Sequence, residues 1–216
     1  YRTDYRNYIY TNIRTTMKTI NEILFTISNG LMIPVVILLL ALIVIAIITL
    51  FNFFADYSAH IKWLKEMEHS YSEYVKGDIA GMLAKVPSKG CPEFTSCFDK
   101  LIDTKGDKAA CDMIVASYEI VVDKKLAKSR LLLKLGPMLG LMGTLIPMGP
   151  ALVGLAAGDI SSMAINMQVA FSTTVVGMLI AAIGLISLSA DKRFYAHTLN
   201  DLQFISEILQ KNETEK

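Results

Sequence analysis

The stretch "GPMLGLMGTLIPMGPALVGLAAGD", residues 136–159, is apolar enough to sit in a membrane, yet it carries six glycines and three prolines around a single threonine. At about 100° per residue, Gly136, Gly140, Gly143, Pro147, Ala151 and Gly154 fall within a sector of about 80°, with Thr144 at its border. One side of this segment is therefore almost without side chains. The next apolar segment repeats the design, with Ala170, Thr174, Gly177, Ala181 and Gly184 on one face and Val169, Val176, Ile180 and Ile183 on the other.

Small faces on membrane helices have two physical uses. They let two backbones approach closely, as in the small-xxx-small pattern of Gly136 and Gly140, or they leave room for something else beside the helix. Close packing is the simpler account of any one glycine. Pro147 and Pro150 ask for more, because the carbonyls they leave without a donor cannot be satisfied by lipid and should face protein or a water-filled space. A bond to the carbonyl three or four residues back accounts for the hydroxyls of Ser172, Thr173, Ser187 and Ser189. Thr144 and Thr174 differ, since each lies in or beside a small face near the middle of its segment. Both are candidates for lining a polar path.

More than half of the 216 residues are hydrophobic, and the mean hydropathy is positive, which is unusual for a water-soluble domain. Three windows, 31–55, 131–157 and 160–190, exceed the roughly 20 apolar residues that cross a bilayer, and Lys134 is their one charge. A polar N-terminal segment precedes the first window, whose apolar run is too long for a signal core, so that window is expected to stay in the mature protein. The fold class expected is all-α, a polytopic membrane protein with three transmembrane helices, extended cytoplasmic helices and amphipathic terminal helices.

Charge placement suggests an orientation. Residues 56–130 hold 12 Lys and Arg, whereas the turn at 157–162 holds none and carries Asp159. By the positive-inside rule the long segment is cytoplasmic and the turn outside. The N-terminus then falls outside with four basic residues, against the rule, and the tail from Asp191 falls inside.

Outside the spans the periodicity is helical. Tyr5, Ile9, Ile13, Met17, Ile20, Leu24 and Ile27 share a face over residues 1–30, an amphipathic helix suited to a membrane surface or to a neighbouring subunit, with Gly30 as its end. Pro34 is placed in the first turn of the first span, where its missing donor costs nothing. The pattern continues through Ile61, Leu64, Tyr71 and Val75 until Gly77 or Gly81. A loop at "KVPSKGCPEF" (85–94), a short helix near 94–102, a break at "DTKGDK" (103–108) and a second long helix from about Lys108 follow. Phe194, Leu202, Ile205 and Leu209 mark a helix over 191–216 that packs on the cytoplasmic helices.

Cys91, Cys97 and Cys111 match no zinc spacing and have no histidine nearby, so small buried apolar side chains are the expected reading. No proton-relay role is expected of His60, His69 or His197, since none has an acidic neighbour in the membrane. An ion path through hydrocarbon generally uses a charged residue, and this chain has none deep in a span. Either it conducts nothing, or a partner brings the charge.

The segments "LGPMLGLMGTLIPMGPALVGLAAGD" and "AFSTTVVGMLIAAIGL" resemble the MotA/TolQ/ExbB proton-channel family, over roughly residues 130–190. The layout of one span, a long cytoplasmic segment, a two-span hairpin and a tail resembles its three-span ExbB and TolQ branch. That resemblance implies an ion-channel, stator-like subunit of an ion-driven energy transducer in the cytoplasmic (inner) membrane. It also implies a homopentamer around a single-span partner similar to ExbD, TolR or MotB that carries the ion-binding aspartate. Thr144 and Thr174 fall on the family's channel-lining threonines, and Gly140, Gly143, Pro147, Ala170, Gly177 and Ala181 would complete the wall. Where the family carries a glutamate five residues before the second threonine, this chain has Val169, which leaves the choice between protons and sodium open; the neighbouring Gln168 points elsewhere on the wheel.

The rival from another class is a non-conducting membrane scaffold whose small faces only pack helices and whose cytoplasmic segment recruits soluble proteins. An enzyme is not expected. "GPMLGLMGT" lacks the lysine of a phosphate loop and lies in a span. Membrane lipid is an expected partner; a cofactor, a metal and nucleic acid are not.

Overall fold

A computed structural model describes the backbone of all residues except 1, 76–78, 88, 89, 105, 215 and 216, and the side chains outside 1–13, 15, 72–80, 88, 89, 105 and 212–216. Among the described residues the regular elements are five helices, α1 (Arg2–Val75), α2 (Ile79–Ala84), α3 (Pro92–Asp103), α4 (Lys108–Ala156) and α5 (Ile160–Thr214). Among the described residues α1, α4 and α5 are long and apolar enough to cross a membrane, one for each window expected. The chain is an all-α, multi-pass membrane protein.

The expected break at Gly30 does not occur. α1 runs through both Gly30 and Pro34, so Pro34 is interior and not in a first turn. A single glycine costs a helix only about 1 kcal/mol relative to alanine, which the long apolar run that follows outweighs. Of the amphipathic face expected there, the side chains of Tyr5, Ile9 and Ile13 lie outside the described residues, whereas Met17, Ile20, Leu24 and Ile27 are exposed. Gly77 also lies outside them, and Gly81 sits within α2 and does not end it.

The remaining boundaries follow local chemistry. Pro92 opens α3 at a position where its missing donor would have been unpaired anyway. Gly106, at φ +89°, takes the left-handed turn inside "DTKGDK", and the Asp107 carboxylate then accepts from the Ala110 N–H at 3.0 Å to cap α4. Gly158, at φ +79°, turns the chain between α4 and α5, and Asp159 caps α5 by accepting from the Ser162 N–H at 3.0 Å.

The chain divides into two units, Tyr1–Ile45 with Leu133–Ala182, and Ala46–Leu132 with Ile183–Lys216. The second has a conventional core. Trp63, Met67, Phe94, Tyr118, Leu202 and Ile205 are almost wholly buried in it, and the Trp63 ring meets Phe94 and Phe194 edge-on at 4.9 and 5.7 Å. The C-terminal face expected from Phe194, Leu202, Ile205 and Leu209 packs here. All three cysteines are buried thiols in or beside it, and burial pushes those of Cys91 and Cys97 up. Two hydroxyl contacts join distant segments: Tyr71 donates to Asp201 at 2.5 Å, and the Tyr118 and Thr198 hydroxyls meet at 2.6 Å.

Candidate functional site

In the first unit the two small-residue stripes face each other. A Cβ added to Gly136 would lie 2.7 Å from the Gly177 carbonyl oxygen, and one added to Gly177 would lie 2.8 Å from the Gly140 Cα. A Cβ on Gly143 would strike the Thr173 side chain at 2.6 Å. The glycines are therefore required by the approach of α4 to α5, the close-packing use of a small face.

This places the residues singled out from the sequence in two groups. Gly140, Gly143, Pro147, Ala170 and Gly177 are buried, and the space beside the three glycines is filled by the facing helix. In the single chain the two stripes border each other, the first of the two uses that a small face can serve. Thr144, Thr174 and Ala181 are half-buried at the margins of this contact. The side chains of both threonines are turned to their own helix, Thr144 donating to the Leu141 carbonyl at 2.7 Å and Thr174 to the Ala170 carbonyl at 3.3 Å. A hydroxyl so engaged keeps its oxygen lone pairs and can exchange the backbone acceptor for a better one.

Pro147 fits the same contact. Pro147 leaves the carbonyl of Gly143 without its helical donor, and both residues are buried. Val169, the position that the resemblance aligns with a glutamate, lines an apolar groove of about 410 Å³ together with Leu39, Gln168 and Ser172. Gln168 thus shares the groove with Val169, where the helical wheel had set them apart. On the outer faces Leu141, Leu145, Leu152, Phe171, Val175 and Met178 are exposed, as suits contact with lipid or other chains.

The other hydroxyls mostly behave as expected. Ser172 donates to the Gln168 carbonyl at 2.8 Å and Thr173 to the Ala170 carbonyl at 2.9 Å. Ser187, in the second unit, departs from the expectation. Its hydroxyl is fully buried and has no hydrogen-bond partner, although it was expected to bond back along the helix.

A family model, that of the MotA/TolQ/ExbB proton channel family, matches residues 98–203, taking in α4, the hairpin turn and most of α5. The chain belongs to this family. Neither a curated protein nor a solved structure matches it. Membership makes the protein a channel-type subunit of the energy-transducing membrane complexes, and its three spans agree with the three-span branch. In this MotA/TolQ/ExbB protein the close glycine contact that joins α4 to α5 lies wholly within the matched residues.

Proposed function

We propose that the chain is the channel subunit of an ion-motive-force-driven transducer, a pentamer in the cytoplasmic membrane enclosing a single-span partner whose intramembrane aspartate binds the ion. The observation that carries this reading is a mismatch between family and composition. A proton channel needs a group that takes up and releases the ion within the bilayer, and residues 31–55, 135–157 and 160–190 contain no Asp, Glu, Lys, Arg or His. The acid must then come from another chain.

In this reading the glycine stripes build a rigid two-helix stave, and the half-buried Thr144, Thr174 and Ala181 at its margin face the partner's helix. The threonine hydroxyls hydrate and hydrogen-bond the partner's carboxylate when it is ionised. One charge moved through about 100 mV releases about 2.3 kcal/mol, which biases the partner's rotation past successive subunits. The N-terminus and the hairpin turn lie outside, with the basic segment and the C-terminal tail in the cytoplasm. A scaffold would also use a sealed hairpin; membership of a proton-channel family favours conduction.

The test is proton and sodium flux into liposomes carrying the chain with the single-span protein that co-purifies with it. Thr174→Val should lower flux about tenfold while leaving the oligomer intact, since a hydrogen bond to a charged group is worth about 1.5–3 kcal/mol. Unchanged flux would remove Thr174 from the path, and an assembly that conducts nothing would favour the scaffold.

A further inference from the structure

Outside the glycine hairpin, the second unit contains two cavities of about 250 and 240 Å³ that share two residues, His60 of α1 and Asp191 of α5. The smaller is lined by Thr49, Asn52, Asp56, Ser129, Ser187 and Tyr195 among others, and the larger by Tyr57, Ile61, Leu64, Arg193 and His197 among others. Asp191 is the first residue after the third apolar window. The smaller cavity reaches back to residues of the first and third windows, and the larger extends away from them along α1 and α5.

We propose that Asp191 and His60 form a proton-exchange pair that passes protons between these two cavities. It deepens the proposed channel function and rests on it. Three observations carry the inference. The two residues are common walls of both cavities, so a proton bound by either can arrive from one and leave to the other. Ser187 offers a fully buried hydroxyl without a partner to the smaller cavity, which is the arrangement that an enclosed water satisfies; each cavity has room for several. The His60 ring is held flat against Phe194, with centroids 3.7 Å apart and planes within 3°, which fixes the plane of the ring between the two cavities it lines.

The charges around the pair suit the task. From α1, Asp56 faces both groups; from α4, Lys125 and Lys128 line the smaller cavity; from α5, Arg193 and His197 line the larger and Tyr195 the smaller. Lys125 is engaged by Glu93 of α3 at 2.6 Å. Burial, helped by the Asp56 charge, pushes the Asp191 carboxyl up from 3.8 to about 6. Burial pushes His60 below 6.5, with Asp56 pulling the other way. The acid is raised and the base lowered, so the two shifts run toward each other, as suits a proton passed from one to the other. In the forward step an O–H bond forms on the Asp191 carboxylate as hydronium in the smaller cavity becomes water. That bond then breaks as an N–H bond forms on neutral His60, directly or through one water, and the imidazolium releases its proton to water in the larger cavity. No electrons are transferred, and both groups return to their starting forms. The pair departs from the expectation that no histidine relays protons, because the acid partner lies 131 positions along the chain, outside the membrane windows.

The test begins with a carbon-13 NMR titration of aspartate and histidine side chains in the purified full chain, which needs neither a partner nor flux. The signal missing in Asp191→Asn should titrate near pH 6, and Asp56→Asn should move the midpoints of both Asp191 and His60 to lower pH. An Asp191 midpoint near 4, or a His60 midpoint untouched by Asp56→Asn, overturns the pair. In liposomes carrying the complex, Asp191→Asn and His60→Gln should each lower proton uptake about tenfold, with Asp191→Glu restoring it and its pH profile. Uptake unchanged in both variants while Thr174→Val is impaired overturns the relay and leaves the channel reading standing. Uptake impaired in both variants while Thr174→Val is unaffected supports the relay and counts against Thr174.

Discussion

The glycine hairpin of the first unit and the aromatic core of the second hold helices together with opposite materials. Between α4 and α5 the contacts are backbone on backbone, with Gly136, Gly140 and Gly177 so close that no Cβ fits without displacing the facing helix. In the second unit Trp63, Met67, Phe94 and Tyr118 fill the space between helices, each almost wholly buried. The difference follows from the solvent. Side chains that leave lipid for protein gain no hydrophobic free energy, so apolar spans associate through close packing. Outside the apolar windows burial gains about 25 cal/mol per Å² of apolar surface, and large aromatic rings supply it. Because α4 and α5 each contribute to both units, one helix carries both kinds of surface in succession.

The largest expected effect comes from placing core-type material in the hairpin. Gly177→Val would set a Cβ 2.6 Å from the Gly136 carbonyl oxygen, and the obstruction is backbone that no rotamer change can relieve. The cost should exceed the ~1–3 kcal/mol of ordinary overpacking, and the variant should lose the assembled species on size-exclusion chromatography. The reverse change, emptying the core, comes next. Trp63→Ala should cost about 3–5 kcal/mol and lower the melting temperature of the second unit while the hairpin glycines remain protected from solvent, as hydrogen exchange would report. A hairpin that tolerates Gly177→Val as well as the core tolerates Trp63→Ala would erase the contrast between the two units.

A smaller effect separates the units by pH. The described spans of the hairpin hold no carboxylate, whereas Asp191 in the second unit has its folded-state pKa raised from 3.8 to about 6. The fold therefore binds this proton more tightly than the unfolded chain does. The associated stability is fully present below pH 3.8, is lost as pH rises to about 6, and stays lost above it. His60, pushed below 6.5, contributes in the opposite sense, its stability being present above 6.5 and lost as pH falls through its folded value. Asp191→Asn removes only the first contribution. The variant should be more stable than the parent at pH 7.5, by about 1–2 kcal/mol once solvent screening of this half-buried group is allowed for, and no more stable at pH 4. Thermal melts at the two pH values check the sign.

Much of this architecture is legible in the chain, and what is not has physical causes. The three spans, the α3 helix, the start of α4 at Lys108 and the Asp159 turn are local features, written in runs of apolar residues and in Pro, Gly and Asp signals. That Gly30 would not end α1 depends on the sum of propensities over many residues, which one glycine does not reveal. The small stripes are visible on a wheel, but a wheel shows one helix and cannot say what lies against it; only the Gly136–Gly177 approach shows that the stripes meet. The Asp191–His60 juxtaposition was least visible, because Asp56 and His60 at i, i+4 are the single local hint and Asp191 enters through tertiary packing. The unpartnered Ser187 hydroxyl is of the same kind, an exception to a helix rule that only the packed structure displays.

The smallest expected effect is the most direct test of why a glycine is there. Gly30 and Gly140 both lie inside helices, yet a Cβ on Gly30 would meet nothing within 4 Å, whereas one on Gly140 would lie 3.3 Å from the Gly177 Cα and 3.4 Å from the Thr173 carbonyl oxygen. Alanine removes backbone freedom from the unfolded chain at both sites, which favours the helix by up to about 1 kcal/mol. At Gly30 that gain is unopposed, so Gly30→Ala should raise the melting temperature slightly. At Gly140 the facing backbone must retreat by a few tenths of an ångström along the whole contact, and the dispersion lost across it should outweigh the gain. Because the chain has one tryptophan, Trp63, which reports the second unit alone, the two variants should be compared by hydrogen exchange within the spans. Opposite signs are expected. Equal gains at both sites would mean that the α4–α5 approach is loose enough to absorb a methyl group, and the glycine stripes would then have to be explained by something other than the packing that joins them.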